Sequence, residues 1–94
     1  MDYKDMVGSR LKYLRKKHKV KVESIMKLLD ISRSTYTNYE LGYRAPSGDK
    51  LVLLADLYDT TVDFLTGKTN EEEVNIELTD AILEGAKNGK FVHN

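Results

Sequence analysis

Apolar residues recur at helical spacing along most of this chain, and the pattern changes only near its end. Val7, Leu11 and Leu14 stand at i, i+4 and i+7, which predicts a first amphipathic helix over residues 6–18. Val22, Ile25, Met26 and Leu29 give the apolar face of a second helix, 21–29. Asp30 follows it, a residue type that tolerates the left-handed conformation, and Ile31 plugs the turn. Tyr36 and Tyr39, three apart, share the inward face of a third helix, 33–41, with Ser32 as N-cap and Gly42 as left-handed C-cap. Pro46 disfavours helix at Ala45, and Ser47 caps a fourth helix, 48–58, with Leu51, Leu54, Ala55 and Tyr58 inside. Thr61 opens a last short helix, 62–66, closed by Gly67.

Beyond Gly67 the signals diverge. Asn70 followed by Glu71, Glu72 and Glu73 can open a helix, whereas Val74, Ile76 and Leu78 alternate with the period of a strand. Thr79 caps a more convincing helix over 80–88, with Ile82, Leu83 and Ala86 apolar and Gly89 at its end. The organisation expected is a five-helix, all-α domain at 1–67 and a tail at 68–94 containing a short extra helix. Val74, Ile76, Leu78, Ile82 and Leu83 suit a docked or dimerising tail better than a free one.

With Tyr36 and Tyr39 inward, the third helix turns Arg33, Ser34, Thr37 and Asn38 outward. A merely solvated face usually carries Lys and Glu. Small hydroxyls, an amide and an arginine are the donor and acceptor set that reads base edges, although an ordinary polar face stays open as the plainer reading.

Charge sharpens the picture. The chain is formally neutral, yet residues 1–44 hold eleven Lys and Arg against five Asp and Glu, a net +6. Residues 45–94 hold four against ten, a net −6. Such a division suggests one side that faces phosphate and one that faces something else. There is no cysteine, and His18 and His93 are isolated, so neither a metal site nor a cofactor is expected. No nucleophile–base pair and no Gly-rich phosphate loop is present, and an enzyme is not expected. No apolar run reaches the length of a membrane span or a signal-peptide core, so a cytoplasmic protein is expected.

Two short helices joined by a tight turn have the geometry of a helix-turn-helix. From Val7 to Gly67 the chain resembles the lambda-repressor-like, Cro-type (Xre) helix-turn-helix domain. The resemblance is carried by Val7-Gly8-Ser9-Arg10-Leu11, by Ile31-Ser32-Arg33-Ser34-Thr35, and by Tyr39-Glu40-Leu41-Gly42 with Arg44-Ala45-Pro46. Leu51, Leu54-Ala55, Leu57-Tyr58 and Val62-Asp63-Phe64-Leu65 continue it. Two departures stand out: Lys21 replaces the usual capping Ser or Thr of the second helix, and Val22 replaces the usual Gln. Met26 also replaces the usual Ala, which would set helices two and three slightly further apart.

The resemblance implies a transcriptional regulator, a repressor, that binds a double-stranded DNA operator through the major groove. It implies base contacts by Arg33, Ser34 and Asn38, and phosphate contacts by Ser32 and Arg44. Thr37 and Lys21 are placed with the phosphate contacts, Lys21 as a less directional substitute for the missing Gln. It further implies a salt bridge between Arg10 and Glu40. One domain of this size covers little DNA, so a homodimer on a palindromic site is expected, with a regulatory protein partner as a further possibility. The alternative is a protein-interaction module, antitoxin-like or antirepressor-binding, with weakened DNA affinity; the altered start of helix two and the acidic second half favour it.

Overall fold

The computed structural model describes residues 2–73, and the expected tail elements from Val74 onward lie outside them. The helices are α1 (Tyr3–Lys17), α2 (Val22–Leu29), α3 (Arg33–Leu41), α4 (Gly48–Leu57) and α5 (Val62–Thr66). No strand occurs among the described residues, in keeping with an all-α fold. Each inner stripe expected from the sequence is buried in one core: Val7, Leu11 and Leu14; Ile25 and Leu29; Tyr36 and Tyr39; Leu51, Leu54, Ala55 and Tyr58. Met26 and Val22 lie half-buried at its edge.

Helix α1 starts at Tyr3 rather than Met6, the first correction to the sequence reading. Asp2 is its N-cap, accepting a hydrogen bond from the Asp5 backbone N–H at 2.9 Å, and Asp5 places a carboxylate in the first turn where the helix dipole favours it. Ser32 and Thr61 cap α3 and α5 as expected, through Thr35 N–H at 3.1 Å and Phe64 N–H at 3.0 Å. Ser47 stands at the start of α4 but makes no cap bond, because its hydroxyl donates to the Asp49 carboxylate instead. Helix α2 starts at Val22 without a side-chain cap, which follows from Lys21 having no acceptor to offer.

Helix α1 is the spine of the domain, packing on α3 along one side and on α5 along another. Gly8 makes the first contact possible: a Cβ there would lie 2.6 Å from the Glu40 carbonyl oxygen and closer still to that of Tyr39. On its other side α1 carries a strap formed by residues 67–73. Gly67 lies against Met6, Arg10 donates to the Thr69 carbonyl at 2.6 Å and to Asn70 Oδ1 at 2.8 Å, and Tyr13 and Lys17 both hold the Glu72 carboxylate. The anchors advance together, since Met6 to Lys17 is ~16 Å along a helix and five extended residues span about 17 Å. Residues 68–73, placed by sequence in the tail, are therefore part of the packed structure.

Two stability outcomes follow. Gly8→Ala should destabilise by about 3 kcal/mol or more, because backbone carbonyls rather than flexible side chains occupy the space; urea unfolding measures it, and a loss under ~0.5 kcal/mol would mean that α1 and α3 can part freely. Tyr58 is buried, its hydroxyl meets no hydrogen-bond partner among the described residues, and burial pushes its pKa up to about 12. Tyr58→Phe should leave the melting temperature unchanged or raise it, since removing an unpaired buried hydroxyl relieves desolvation.

Candidate nucleic-acid interface

Helices α2 and α3 form the angled pair. Asp30 adopts φ 54° and ψ 54° and closes α2, while the Ile31 N–H returns to the Met26 carbonyl at 3.0 Å. Three residues thus separate the helices, the short turn of a helix-turn-helix. With Tyr36 and Tyr39 buried, α3 leaves Arg33, Ser34 and Thr37 exposed and Asn38 half-buried. Gly42 ends the helix at φ 81°, and the N–H groups of Tyr43 and Arg44 both return to the Asn38 carbonyl, at 3.0 and 3.3 Å. Arg44 is thereby fixed beside the C-terminal shoulder of α3. Exposed Lys16, Lys19, Lys21, Lys27 and Arg44 make no ion pair among the described residues.

Two candidate side chains are engaged in the free protein. The Ser32 hydroxyl accepts from Thr35 N–H and donates to Thr35 Oγ1 at 3.0 Å, so a phosphate contact requires its proton to be redirected. Arg33 pairs with Glu23 of α2 across the angle of the motif. Both partners are more than half exposed, so the pair is weak and opens readily. Sequence reasoning did not single out Glu23, although position 23, in the first turn of α2, lies within reach of the entry to α3.

The expected Arg10–Glu40 salt bridge does not form. Glu40 pairs with Arg15, which donates through Nε at 2.6 Å and Nη2 at 3.0 Å, and the Tyr36 hydroxyl adds a third bond at 2.6 Å. Arg10 points to the other side of α1, where its guanidinium stacks 4.1 Å from the Phe64 ring centroid and donates to the Phe64 carbonyl at 2.5 Å. Five residues rotate a helix by roughly 140°, so Arg10 and Arg15 cannot share a partner face. Arg15 lies with Gly8 and Leu11 toward α3, a spacing the sequence already contained.

The bidentate pair is well shielded, with side-chain exposures of 22% for Arg15 and 13% for Glu40. Burial opposes the ionisation of Glu40, but the hydrogen bonds from Arg15 and Tyr36 together outweigh it and hold the carboxyl below its ordinary range. Burial and the same carboxylate push the Tyr36 hydroxyl far up, keeping it a donor.

A short-turn α2–α3 pair with a polar outward helix and unpaired cations around it is the architecture of a helix-turn-helix nucleic-acid-binding domain. Comparison agrees: the helix-turn-helix family model matches residues 11–65, and the chain belongs to the lambda-repressor-like branch of that family. Among relatives from Bacillus subtilis (strain 168), it is 47% identical over 64 residues to the HTH-type transcriptional regulator AnsR, covering 68% of this chain and 55% of that protein. It is 40% identical over 72 residues to the uncharacterized HTH-type transcriptional regulator YobD, covering 77% and 64% respectively. It is 35% identical over 84 residues to the HTH-type transcriptional regulator ImmR, covering 83% and 66%. These matches thus span between half and two-thirds of the relatives' lengths. No solved structure matches the chain significantly.

The Glu40 carboxylate makes the fold acid-sensitive in a defined direction. Its folded-state pKa lies below the ordinary 4.5, so its stabilisation is complete above that value and is lost as pH falls through the lower one. Glu40→Gln should lower stability at neutral pH by about 1–3 kcal/mol, since the half-buried Arg15 loses its counter-charge. The parent should also lose more stability than the variant between about pH 5 and pH 3. Urea melts of both at three pH values measure this, and parallel losses would exclude Glu40 as the acid-labile group.

Proposed function

We propose that the chain is a sequence-specific, double-stranded DNA-binding transcriptional regulator, acting as a repressor, that reads the major groove with α3. The observation that carries this reading is the outward face of Arg33, Ser34, Thr37 and Asn38, held on a capped helix, with Lys21, Lys27 and Arg44 of the α2–α3 region exposed and unpaired among the described residues. The relatives' names as HTH-type transcriptional regulators support it. Asn38 suits adenine, Arg33 suits guanine once released from Glu23, and Ser34 suits either kind of base edge. Lys21, Ser32, Thr37 and Arg44 then lie against phosphates, with α2 crossing the backbone. Residues 1–67 constitute the DNA-binding unit in this reading, and a homodimer would place two copies of α3 ~34 Å apart, one DNA turn. Val74, Ile76, Leu78, Ile82 and Leu83, the proposed dimerisation residues, lie outside the described residues.

Selecting bound duplexes from a random library, then titrating variants against the selected site and random DNA, tests the reading. Asn38→Ala should lose ~1–3 kcal/mol of discrimination at one base position. Lys21→Ala should weaken all sequences about equally and reduce the salt slope by about one. Equal losses on both DNAs for Asn38→Ala would remove it from the base-reading set. A flat salt dependence of the parent would favour the protein-interaction reading instead.

A further inference from the structure

We infer that the strap at residues 67–73 is an autoinhibitory contact, in which the Glu72 carboxylate occupies Lys17 in place of a DNA phosphate. This rests on the DNA-binding reading above and adds a regulator to it. Three groups hold Glu72: the Lys17 ammonium pairs with Oε2, the Tyr13 hydroxyl donates to Oε1 at 2.6 Å, and the Thr60 hydroxyl donates to the main-chain carbonyl. Upstream, Arg10 fastens the strap at Thr69 and Asn70, which sets the register that brings Glu72 to Lys17.

Lys17 ends α1 next in the chain to Lys16 and two residues before Lys19, at the turn that leads into α2. The turn after α1 is tight, with Lys19 N–H returning to Lys16 and Val20 N–H to Arg15, at 3.3 and 3.1 Å. Lys17 therefore sits within one turn of Lys19 and of Lys21, which opens α2, the helix that crosses the backbone in this motif. Of the cations in this stretch, Arg15 is held by Glu40 and Lys17 by Glu72, leaving Lys16, Lys19 and Lys21 unpaired among the described residues. The strap also carries Glu71 and Glu73, both exposed, on either side of Glu72 in the chain. Like charge so close opposes phosphate, so DNA binding and strap docking weaken one another.

The contact is exposed enough to exchange. Lys17 keeps 43% of its side-chain surface in solvent, and no apolar side chain of residues 68–73 is available to seal the strap down. Opening it at the Glu72 end requires only that water replace the groups on the carboxylate and carbonyl, while Arg10 keeps the upstream half attached.

The test uses the 94-residue chain and a random-sequence duplex, titrated between 50 and 200 mM salt as an approximate window over which counterion release is visible. Glu72→Gln frees Lys17 and should tighten binding about threefold to tenfold at low salt, steepening the log–log salt slope by about one. Glu73→Gln removes the same charge without touching the anchor and should tighten binding less than twofold. In the parent, the amide resonances of Thr60 and Glu72 should shift with the same midpoint as the binding curve when duplex is added. Equal effects of the two substitutions would overturn the inference, as net charge alone would then explain them. Weaker binding by a Glu72→Gln variant that melts like the parent would overturn it too, by making the docked strap a support for the interface. Should the parent itself show no salt-dependent binding, the DNA-binding reading fails first and separately.

Discussion

The position of α3 depends on one half-buried knot, the Glu40 carboxylate gripped by Arg15 and Tyr36. It ties the C-terminal part of α3 to the spine of the domain, where Gly8 lets the two backbones almost touch. Helix α3 is only nine residues long, and propensity alone would not hold it. What it presents outward is fixed by what it buries inward. Two tyrosines and one glutamate on the inner face leave Arg33, Ser34, Thr37 and Asn38 no direction but out or to the edge.

Helix α1 performs this role through strict separation of its faces. Gly8, Leu11 and Arg15 face α3 or the core, while Met6, Arg10, Tyr13 and Lys17 form the stripe that carries α5 and the strap. Two arginines five residues apart thus have unrelated tasks. Arg15 neutralises a buried acid, and Arg10 serves as a hydrogen-bonding hub for carbonyls, stacked on Phe64. A guanidinium suits both, because its planar fork can satisfy several acceptors while its face rests on an aromatic ring.

Much of this was legible in the residues. Caps at Ser32 and Thr61, left-handed stops at Asp30, Gly42 and Gly67, and the inner stripes of the first four helices are local signals, and the structure keeps them. The misses are instructive. Asp2 was overlooked because the first turn of α1 is polar and hydrophobic period begins only at Met6, although Asp2 with Asp5 is a start signal. Glu40 was assigned to the wrong arginine, where a helical wheel through Gly8 would have chosen Arg15. The strap left no periodic trace at all: its anchors are backbone carbonyls, one side-chain amide and one carboxylate, which hydrophobic pattern does not report. Ser47 shows the converse, a good capping residue whose hydroxyl found a nearer carboxylate in Asp49.

Net charge misleads for a related reason. The chain sums to zero, yet the cations around the α1–α2 turn divide into those already matched and those left over. Arg15 is matched inside the fold and contributes little outward field; Lys17 is matched at the surface, where a competing anion can displace its partner. Lys16, Lys19 and Lys21 remain, and they sit where α2 begins without a side-chain cap. Lys21 at that start therefore gives up some local helix stability, having no acceptor to cap the first turn, and adds a cation to the basic turn. The missing cap and the extra cation are thus two consequences of one residue, Lys21.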